Sequence, residues 1–207
     1  ILYEIERRFK KKTVFISGSA EIYSPYSKNE ALGFIHSLSK KIIEQNFRIV
    51  NGFGWGVGSS VINGALEAIN RNPMKFSESQ LVLKPFPQFE SGDKNLSELW
   101  EEYRQKMISL SGISIFLFGN KLVGETITEA SGLIREFEIS IEMGNICIPI
   151  GCTGYATEVI SNTILELPDK YYDNYEVIIP IIKELADSTI PLSLKVDLVI
   201  QAINKTV

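Results

Sequence analysis

The sequence FRIVNGFGWGVGSSVINGALEAIN (residues 47–70) decides the fold class, because an apolar run leads through alternating glycines into a helix-like run. The segment TVFISGSA (residues 13–20) repeats the first half of this arrangement, with a β-branched run that ends in glycine and small polar residues. Short runs of Val, Ile, Thr and aromatic residues are typical of buried strands. A strand, a glycine-rich turn and a helix in succession predict a domain built on a parallel sheet.

Strand-like and helix-like segments alternate along the rest of the chain as well. ISIFLFG (residues 113–119) is almost wholly apolar, as expected of a central strand that is covered on both faces. Further strands are predicted at SQLVLKPF (residues 79–86) and NICIPIG (residues 145–151). Helices are predicted at residues 29–45, 58–70, 96–110, 128–143, 154–164, 175–186 and 191–204. This alternation predicts a Rossmann-like α/β fold, a parallel β-sheet with helices on both faces.

The charged N-terminal stretch ILYEIERRFKK (residues 1–11) stands outside this alternation. We interpret it as a linker or the tail of a preceding element, and residues 12–207 as a single domain. That length offers enough apolar side chains for one core. Since the first residue is Ile1 rather than Met, we interpret the chain as one domain of a longer protein.

The composition argues against several classes of function. A net charge of −4 does not indicate the basic surface that DNA- and RNA-binding domains generally have. The two cysteines, Cys147 and Cys152, and the one histidine, His36, cannot form a usual zinc site. We expect buried thiols in a reducing cytosol. No stretch reaches the roughly 18 apolar residues of a membrane helix, and there is no signal peptide. A cytoplasmic domain that binds neither nucleic acid nor membrane is therefore expected.

Glycine and small polar residues follow four of the predicted strands. Right-handed crossovers place every strand-to-helix loop at one edge of a parallel sheet. Ligands of such folds bind beyond the carboxyl ends of the strands. We therefore expect four loops to converge around a ligand, at residues 17–20, 52–59, 119–124 and 151–154.

The second of these loops, within NGFGWGVGSS, carries the clearest signal for a phosphate. Gly52, Gly54, Gly56 and Gly58 alternate, and a helix is predicted to begin beside them. A helix N-terminus presents unpaired N–H groups and a partial positive charge, which suit a phosphate. The spacing is neither the GxGxxG of dinucleotide-binding folds nor a Walker A loop. A nucleotide-type, phosphate-bearing ligand is expected, and the alternative is a turn needed only for close packing.

Three charged side chains are candidates for the same site. Arg104 lies at the margin of the apolar stripe of a predicted helix, and arginine pairs bidentately with phosphate. Lys121 follows the central strand, at the rim where a ligand would sit. Glu136 would share a helical face with Glu129, and a carboxyl there could accept ribose hydroxyls or act as a base. The alternative for each is a solvated surface position.

Four segments in this order make the sequence similar to the SLOG superfamily: ISGSA, NGFGWGVGSSVINGAL, RQKM before an apolar strand, and PIGCTGYA. The resemblance covers about residues 12–160. The superfamily includes the LOG enzymes, which remove the base from a nucleoside monophosphate and carry a PGGxGTxxE element. Here Asn120 and Lys121 replace the second glycine and its neighbour, an insertion precedes GLIRE, and Leu133 replaces the threonine. Nucleotide binding is therefore expected, with a LOG-type N-glycosidase (phosphoribohydrolase) as the alternative function.

The sequence most resembles the SLOG domains of Thoeris anti-phage effectors, which follow a sirtuin-like NAD-hydrolysing domain. In that group a cyclic ADP-ribose isomer, made by a TIR-domain protein, binds the SLOG pocket and switches on the attached NADase. By matching position, Arg104 and Lys121 would hold the pyrophosphate, and Glu136 would bond ribose hydroxyls. Backbone contacts would come from Gly18, Ser19, Ala20, Gly52, Phe53, Gly54, Gly56, Val57 and Gly58.

The resemblance thus implies a bacterial sensor domain with no cofactor, no metal and no catalysis of its own. Its partners would be the cyclic nucleotide signal, an N-terminal NADase domain of the same protein, and further copies in a homodimer or higher homo-oligomer. A structural module with a vestigial pocket is a third interpretation. Against it, alternating glycines and a basic pair at strand ends exceed what packing requires.

Overall fold

A parallel sheet of five strands forms the centre of the computed structural model, which describes residues 2–90, 92–173 and 175–206. The strands of the chain are β1 (Thr13–Ser19), β2 (Arg48–Asn51), β3 (Leu81–Leu83), β4 (Ile113–Phe118), β5 (Asn120–Val123), β6 (Thr126–Glu129) and β7 (Ile146–Pro149). The order in the sheet is β3-β2-β1-β4-β7, and all of its pairs are parallel. The predicted fold class is confirmed.

Helices connect and cover these strands. They are α1 (Leu2–Lys11), α2 (Lys28–Glu44), α3 (Gly58–Arg71), α4 (Leu96–Ile108), α5 (Ser131–Glu142), α6 (Ala156–Glu166), α7 (Pro168–Tyr171), α8 (Tyr175–Ala186) and α9 (Leu192–Thr206). Among the described residues, none of these helices is both long enough and apolar enough to cross a membrane.

The two faces of β1 are covered by different helices, because successive side chains of a strand point to opposite faces. Phe15 belongs to a small core cluster with Met107 of α4 and Ile139 of α5. Val14 and Ile16 belong to the large cluster, which includes the apolar faces of α2, α3 and α9. Every residue of β4 is buried, in agreement with the prediction of a central strand.

The order of the strands reverses between β1 and β4. The chain runs from β1 through α2 to β2 and through α3 to β3, and then returns through α4 to pair β4 with the other side of β1. Connections that leave β1 and β4 toward opposite faces open a crevice beyond their carboxyl ends. Ser17, Gly18 and Ser19 lie at this point, in register with Phe116, Leu117 and Phe118.

The insertion after β4 is not the loop that the sequence predicted. Residues 120–129 form an antiparallel hairpin, β5 and β6, which turns at Gly124 with a φ of +62°. Helix α5 therefore begins at Ser131 rather than near residue 128. Glu129 belongs to β6, so the prediction that it shares a helical face with Glu136 is wrong. The two short strands pair locally, and helical periodicity does not extend across the turn.

Residues 2–11 form a helix that contacts the domain. The Nζ atom of Lys11 donates a hydrogen bond to the backbone oxygen of Thr206, at a distance of 2.8 Å. That this N-terminal segment is a linker or the tail of a preceding element stays a prediction.

Helices α2 and α3 approach so closely that Gly64 has no room for a side chain. A Cβ atom there would lie 2.1 Å from the His36 oxygen and 2.3 Å from Ser39 Oγ. We expect Gly64→Ala to lower the free energy of unfolding by about 1–3 kcal/mol, the usual cost of overpacking. The matched control, Gly33→Ala, adds the same methyl group where nothing lies within 4 Å. It should raise stability by about 0.5–1 kcal/mol, since alanine favours helix. Urea denaturation measures both changes, and equal stability of the two variants would contradict the prediction.

Candidate functional site

A cavity of about 930 Å³ occupies the crevice beyond β1 and β4. Its floor is the end of β1, and its walls are α4, the first turn of α5 and the side chain of Phe86. The crevice lies where the order of strands reverses, which is the usual ligand position in open α/β sheets. Its lining includes Ser17, Gly18, Ser19, Gly54, Phe86, Trp100, Glu101, Arg104, Lys121, Ser131, Gly132, Arg135 and Glu136.

The glycine loop after β2 lies directly on the loop after β1. A Cβ atom on Gly54 would stand 1.9 Å from the oxygen of Gly18, and one on Gly56 would stand 2.0 Å from the oxygen of Ala20. The Ala20 amide donates a hydrogen bond of 2.8 Å to the oxygen of Trp55. The alternating glycines therefore allow two backbone segments to touch, and the end of β1 is held in place by that contact.

Asn120 fixes the other side of the crevice. Its side chain is buried, accepts hydrogen bonds from the amides of Glu21 and Ile22, and donates one to the oxygen of Ile22. These bonds tie the start of β5 to the loop after β1, over almost a hundred residues of sequence. Lys121 consequently projects from a fixed point at the rim.

Glu136 is the buried acid of the site. Its Oε2 atom accepts a hydrogen bond of 2.5 Å from Ser17 Oγ, and its Oε1 atom lies 3.6 Å from Arg104 Nε. Burial raises the pKa of Glu136 above its ordinary value of 4.5, although the Ser17 hydrogen bond and the charge of Arg104 act in the opposite direction. A carboxyl in this position can accept hydrogen bonds from a ligand.

Arg104 projects from α4 into the cavity, with 16% of its side chain exposed. Its Nε atom is buried and has no hydrogen-bond partner within the described residues. Its Cζ atom lies 5.3 Å from the centre of the Phe86 ring, within the range of a cation–π contact. A buried N–H without a partner is costly, so this group is suited to an acceptor supplied from outside.

Arg135 lines the same cavity but is already neutralised. Its guanidinium contacts Glu101 at 2.7 Å, Glu138 at 2.8 Å and Glu142 at 3.2 Å. These carboxylates raise the pKa of Arg135. The charge of Arg104 is less compensated, because its carboxylate partner, Glu136, lies 3.6 Å away. Arg104 is therefore the better candidate to bind a negative ligand.

The first turn of α5 completes the wall. Its N-cap residue, Ala130, provides no side-chain hydrogen bond to the helix, and Ser131 and Gly132 line the cavity. Lys121 Nζ donates a hydrogen bond of 3.2 Å to Ser131 Oγ. An uncapped helix N-terminus beside two cations favours an anion electrostatically.

The sequence-predicted residues divide into three groups. The main cavity is lined by Gly18, Ser19, Gly54, Arg104, Lys121 and Glu136. An adjoining cavity of about 1000 Å³, which shares Gly54 and Phe86 with the first, is lined by Ala20, Gly52, Phe53 and Gly56 as well. Val57 and Gly58 are buried and line neither cavity.

Ser17, Phe86 and Gly132 also line the cavity, although they are not among the predicted ligand-binding residues. Ser17 stands within the predicted loop at the end of β1, so its position was a signal. Gly132 opens GLIRE, the segment that resembles the GTxxE part of the LOG element, so its position was also a signal. Phe86 follows a strand, and nothing local distinguishes it from other residues of that kind. No cluster of His, Cys, Asp or Glu side chains that could hold a metal ion occurs among the described residues.

The raised pKa of Glu136 has a consequence for stability. Since the folded state binds this proton more tightly than the unfolded state, the free energy of unfolding falls as the pH rises from about 4.5 through the raised pKa. Glu136→Gln keeps an acceptor for Ser17 and removes the titration. As the pH rises from about 4 to about 8, we expect the free energy of unfolding of this variant to increase relative to that of the wild type. Urea denaturation at both pH values measures the two free energies of unfolding. An equal change with pH in the two proteins would contradict the prediction.

Comparison with a solved structure supports the architecture. The crystal structure of TM1055, a structural genomics target, superimposes with a TM-score of 0.52 at 17% sequence identity. The match covers 83% of this chain and 98% of that one. At this identity the similarity concerns the fold alone.

Relatives with much higher identity are named NAD(+) hydrolase ThsA. The Bacillus cereus protein is 45% identical over 172 residues, which cover 83% of this chain and 35% of the relative. The Cytobacillus dafuensis protein is 39% identical over 178 residues, with coverages of 84% and 36%. The Enterococcus faecium protein is 40% identical over 176 residues, with coverages of 84% and 35%. The chain spans about a third of the length of these relatives.

A family model matches almost the full length of the chain. It describes the Sir2- and TIR-associating SLOG family, and the match extends over residues 1–206. Together with the parallel sheet and the identities above, this match assigns the chain: it belongs to the Sir2- and TIR-associating SLOG family.

Proposed function

We propose that this SLOG domain senses a cyclic ADP-ribose isomer and thereby activates an attached N-terminal sirtuin-like NAD hydrolase in bacterial anti-phage (Thoeris) defence. The observation that carries the proposal is the pairing of Arg104 and Lys121 with the N-terminus of α5 in one cavity that also contains Glu136. The chain itself acts as a regulatory domain without catalysis of its own. The ligand would be made by a TIR-domain protein.

Charge complementarity supports a pyrophosphate between Arg104 and Lys121. Cyclic ADP-ribose carries two negative charges, and the two cations compensate both. The Nε atom of Arg104 is buried and makes no hydrogen bond within the described residues, and its ion pair with Glu136 is long, at 3.6 Å. Arg135, in contrast, is bound to three acids. The dipole of α5 adds to the attraction at the same place.

Glu136 supports recognition of a ribose. Ser17 occupies its Oε2 atom, and the Oε1 atom, 3.6 Å from Arg104, keeps acceptor capacity toward the cavity. A carboxyl beside a phosphate-binding arginine can thus bond the hydroxyls of the attached sugar. The ligand class that fits this pair is a phosphorylated ribose.

Two features favour a sensor over a LOG-type N-glycosidase. The position of the enzymes' second glycine is held by Asn120, whose side chain makes three hydrogen bonds that fasten the loop after β1. The hairpin of residues 120–129 also separates β4 from α5, where the enzymes have a short phosphate-binding turn. Base removal from AMP is nevertheless an outcome that the experiment below would detect.

Activation requires a ligand that binds one arrangement of the protein better than another, since tight binding alone shifts no equilibrium. We propose that the shifted arrangement is the pairing of SLOG domains in a homo-oligomer, or their docking to the NADase. The family description, which joins Sir2 and TIR to the SLOG domain, supports an NAD-consuming partner and a TIR-derived signal.

The proposal is tested by calorimetric titration of the chain with cyclic ADP-ribose isomers, ADP-ribose, NAD and AMP. Each mixture is then analysed by chromatography. We expect one cyclic isomer to bind most tightly and every compound to be recovered intact. Release of adenine from AMP would establish the N-glycosidase instead, and the absence of binding by every compound would refute a sensor of this class.

Arg104→Ala should weaken binding of the preferred isomer by roughly tenfold to over a hundredfold, since charge-assisted hydrogen bonds contribute about 1.5–3 kcal/mol each. Lys121→Ala should have a smaller effect, because this side chain is more exposed. Lys106→Ala is the matched control, since it removes a positive charge from the same helix where the side chain is 74% exposed. Equal affinities of the Arg104 variant and the control would remove Arg104 from the site.

A further inference from the structure

We infer that Gly132 and Phe86 are positioning residues, which hold the guanidinium of Arg104 in the orientation that receives an anion. The inference rests on the proposed function for the identity of the ligand, but the geometry stands without it. Neither residue is a ligand-binding group in this inference, because both act through Arg104.

Gly132 leaves space that the guanidinium occupies. A Cβ atom on Gly132 would lie 2.8 Å from Arg104 Nη2 and 3.7 Å from Cζ, the nearest atoms that it would meet. The first turn of α5 therefore passes so close to Arg104 that any side chain at this position displaces it. The atom to be displaced is the far end of a flexible side chain, so alanine shifts the guanidinium without a clash against the backbone.

Besides Glu136, the ring of Phe86 contacts the guanidinium, at 5.3 Å from the ring centre to Cζ. The ring is itself held in place. It lies 6.5 Å from the ring of Tyr103, and a Cβ atom on Gly52 would meet its Cε2 atom at 2.9 Å. The neighbouring backbone is fastened to α4, because Trp100 Nε1 donates a hydrogen bond of 2.8 Å to the Pro87 oxygen.

These contacts restrict the guanidinium of Arg104, whose ion pair with Glu136 is long, at 3.6 Å. A long side chain loses conformational entropy when a ligand fixes it, and that cost weakens binding. Contacts that fix the guanidinium beforehand reduce the cost. The aromatic face adds a cation–π attraction that does not occupy the N–H donors, so the donors stay available for phosphate oxygens.

The variant Gly132→Ala distinguishes an effect on the position of Arg104 from an effect on the stability of the fold. Alanine near the start of a helix is at least as favourable as glycine, so we expect the melting temperature to stay equal or to rise. We expect affinity for the preferred cyclic isomer to fall by about tenfold. Gly33→Ala, an exposed helix position with nothing within 4 Å, is the matched control and should leave affinity unchanged. An unchanged affinity of Gly132→Ala would overturn the role of Gly132.

Phe86 is tested by a pair of variants. Phe86→Leu removes the aromatic face and should weaken binding by about threefold to tenfold. Phe86→Tyr keeps the face and should retain most of the affinity. Equal losses in both variants would show a packing role alone and would overturn the role of Phe86.

A second measurement does not depend on any ligand. In ¹⁵N-labelled protein, the Nε–Hε signal of Arg104 is assigned by its loss in Arg104→Lys, and hindered rotation of the guanidinium is measured from its Nη signals. We expect slow rotation in the wild type and in Gly33→Ala, and faster rotation in Gly132→Ala and Phe86→Leu. Equal rotation in all four proteins would overturn the positioning role. If none of the titrated compounds binds the wild type, the proposed function fails, and the rotation rates still decide this inference.

Discussion

The reversal of strand order between β1 and β4 is the constraint on which the rest of the site depends. Because the chain leaves these two strands toward opposite faces of the sheet, their carboxyl ends stay open between two layers of helices. Ser17 stands on one side of that opening and Asn120 on the other. The N-terminus of α5 faces the same space, so groups that attract an anion collect beside this opening.

The glycines of this protein work mainly by allowing segments to approach each other. Gly54 and Gly56 bring one loop against another, Gly64 brings α3 against α2, and Gly132 admits the guanidinium of Arg104. Within the glycine loop, whose residues 52–59 the structure describes throughout, Gly54 alone lines the main cavity. The close-packing alternative considered for that loop therefore accounts for much of its pattern. The loop still shapes the cavity, since it holds Gly18 and Ser19 at its floor.

Electrostatics separates two arginines that look equivalent in sequence. Arg135 is bound by three carboxylates on α4 and α5, which leaves it little capacity for a ligand. Arg104 has one carboxylate at 3.6 Å, and that acid, Glu136, is itself held by Ser17 and has a pKa raised by burial. Of these two arginines, Arg104 is therefore the one whose positive charge is available to a negative ligand. The difference comes partly from local sequence, since Glu138 and Glu142 lie on the helix of Arg135. It comes partly also from the packing of α4 against α5, which brings Glu101 to Arg135 and Glu136 to Arg104.

The sequence by itself determined the five strands of the parallel sheet, most helices and the edge of the sheet where a ligand would lie. These follow from local periodicity and from the handedness of crossovers. It also identified Arg104, Lys121 and Glu136, which the structure brings to one cavity. Only the tertiary structure decided that residues 120–129 form a hairpin, that Ser17 bonds Glu136, and how Arg104 is held. Ser17 and Glu136 are 119 positions apart, and their contact depends on the joint packing of the sheet and its helices. No local pattern of residues encodes such a contact.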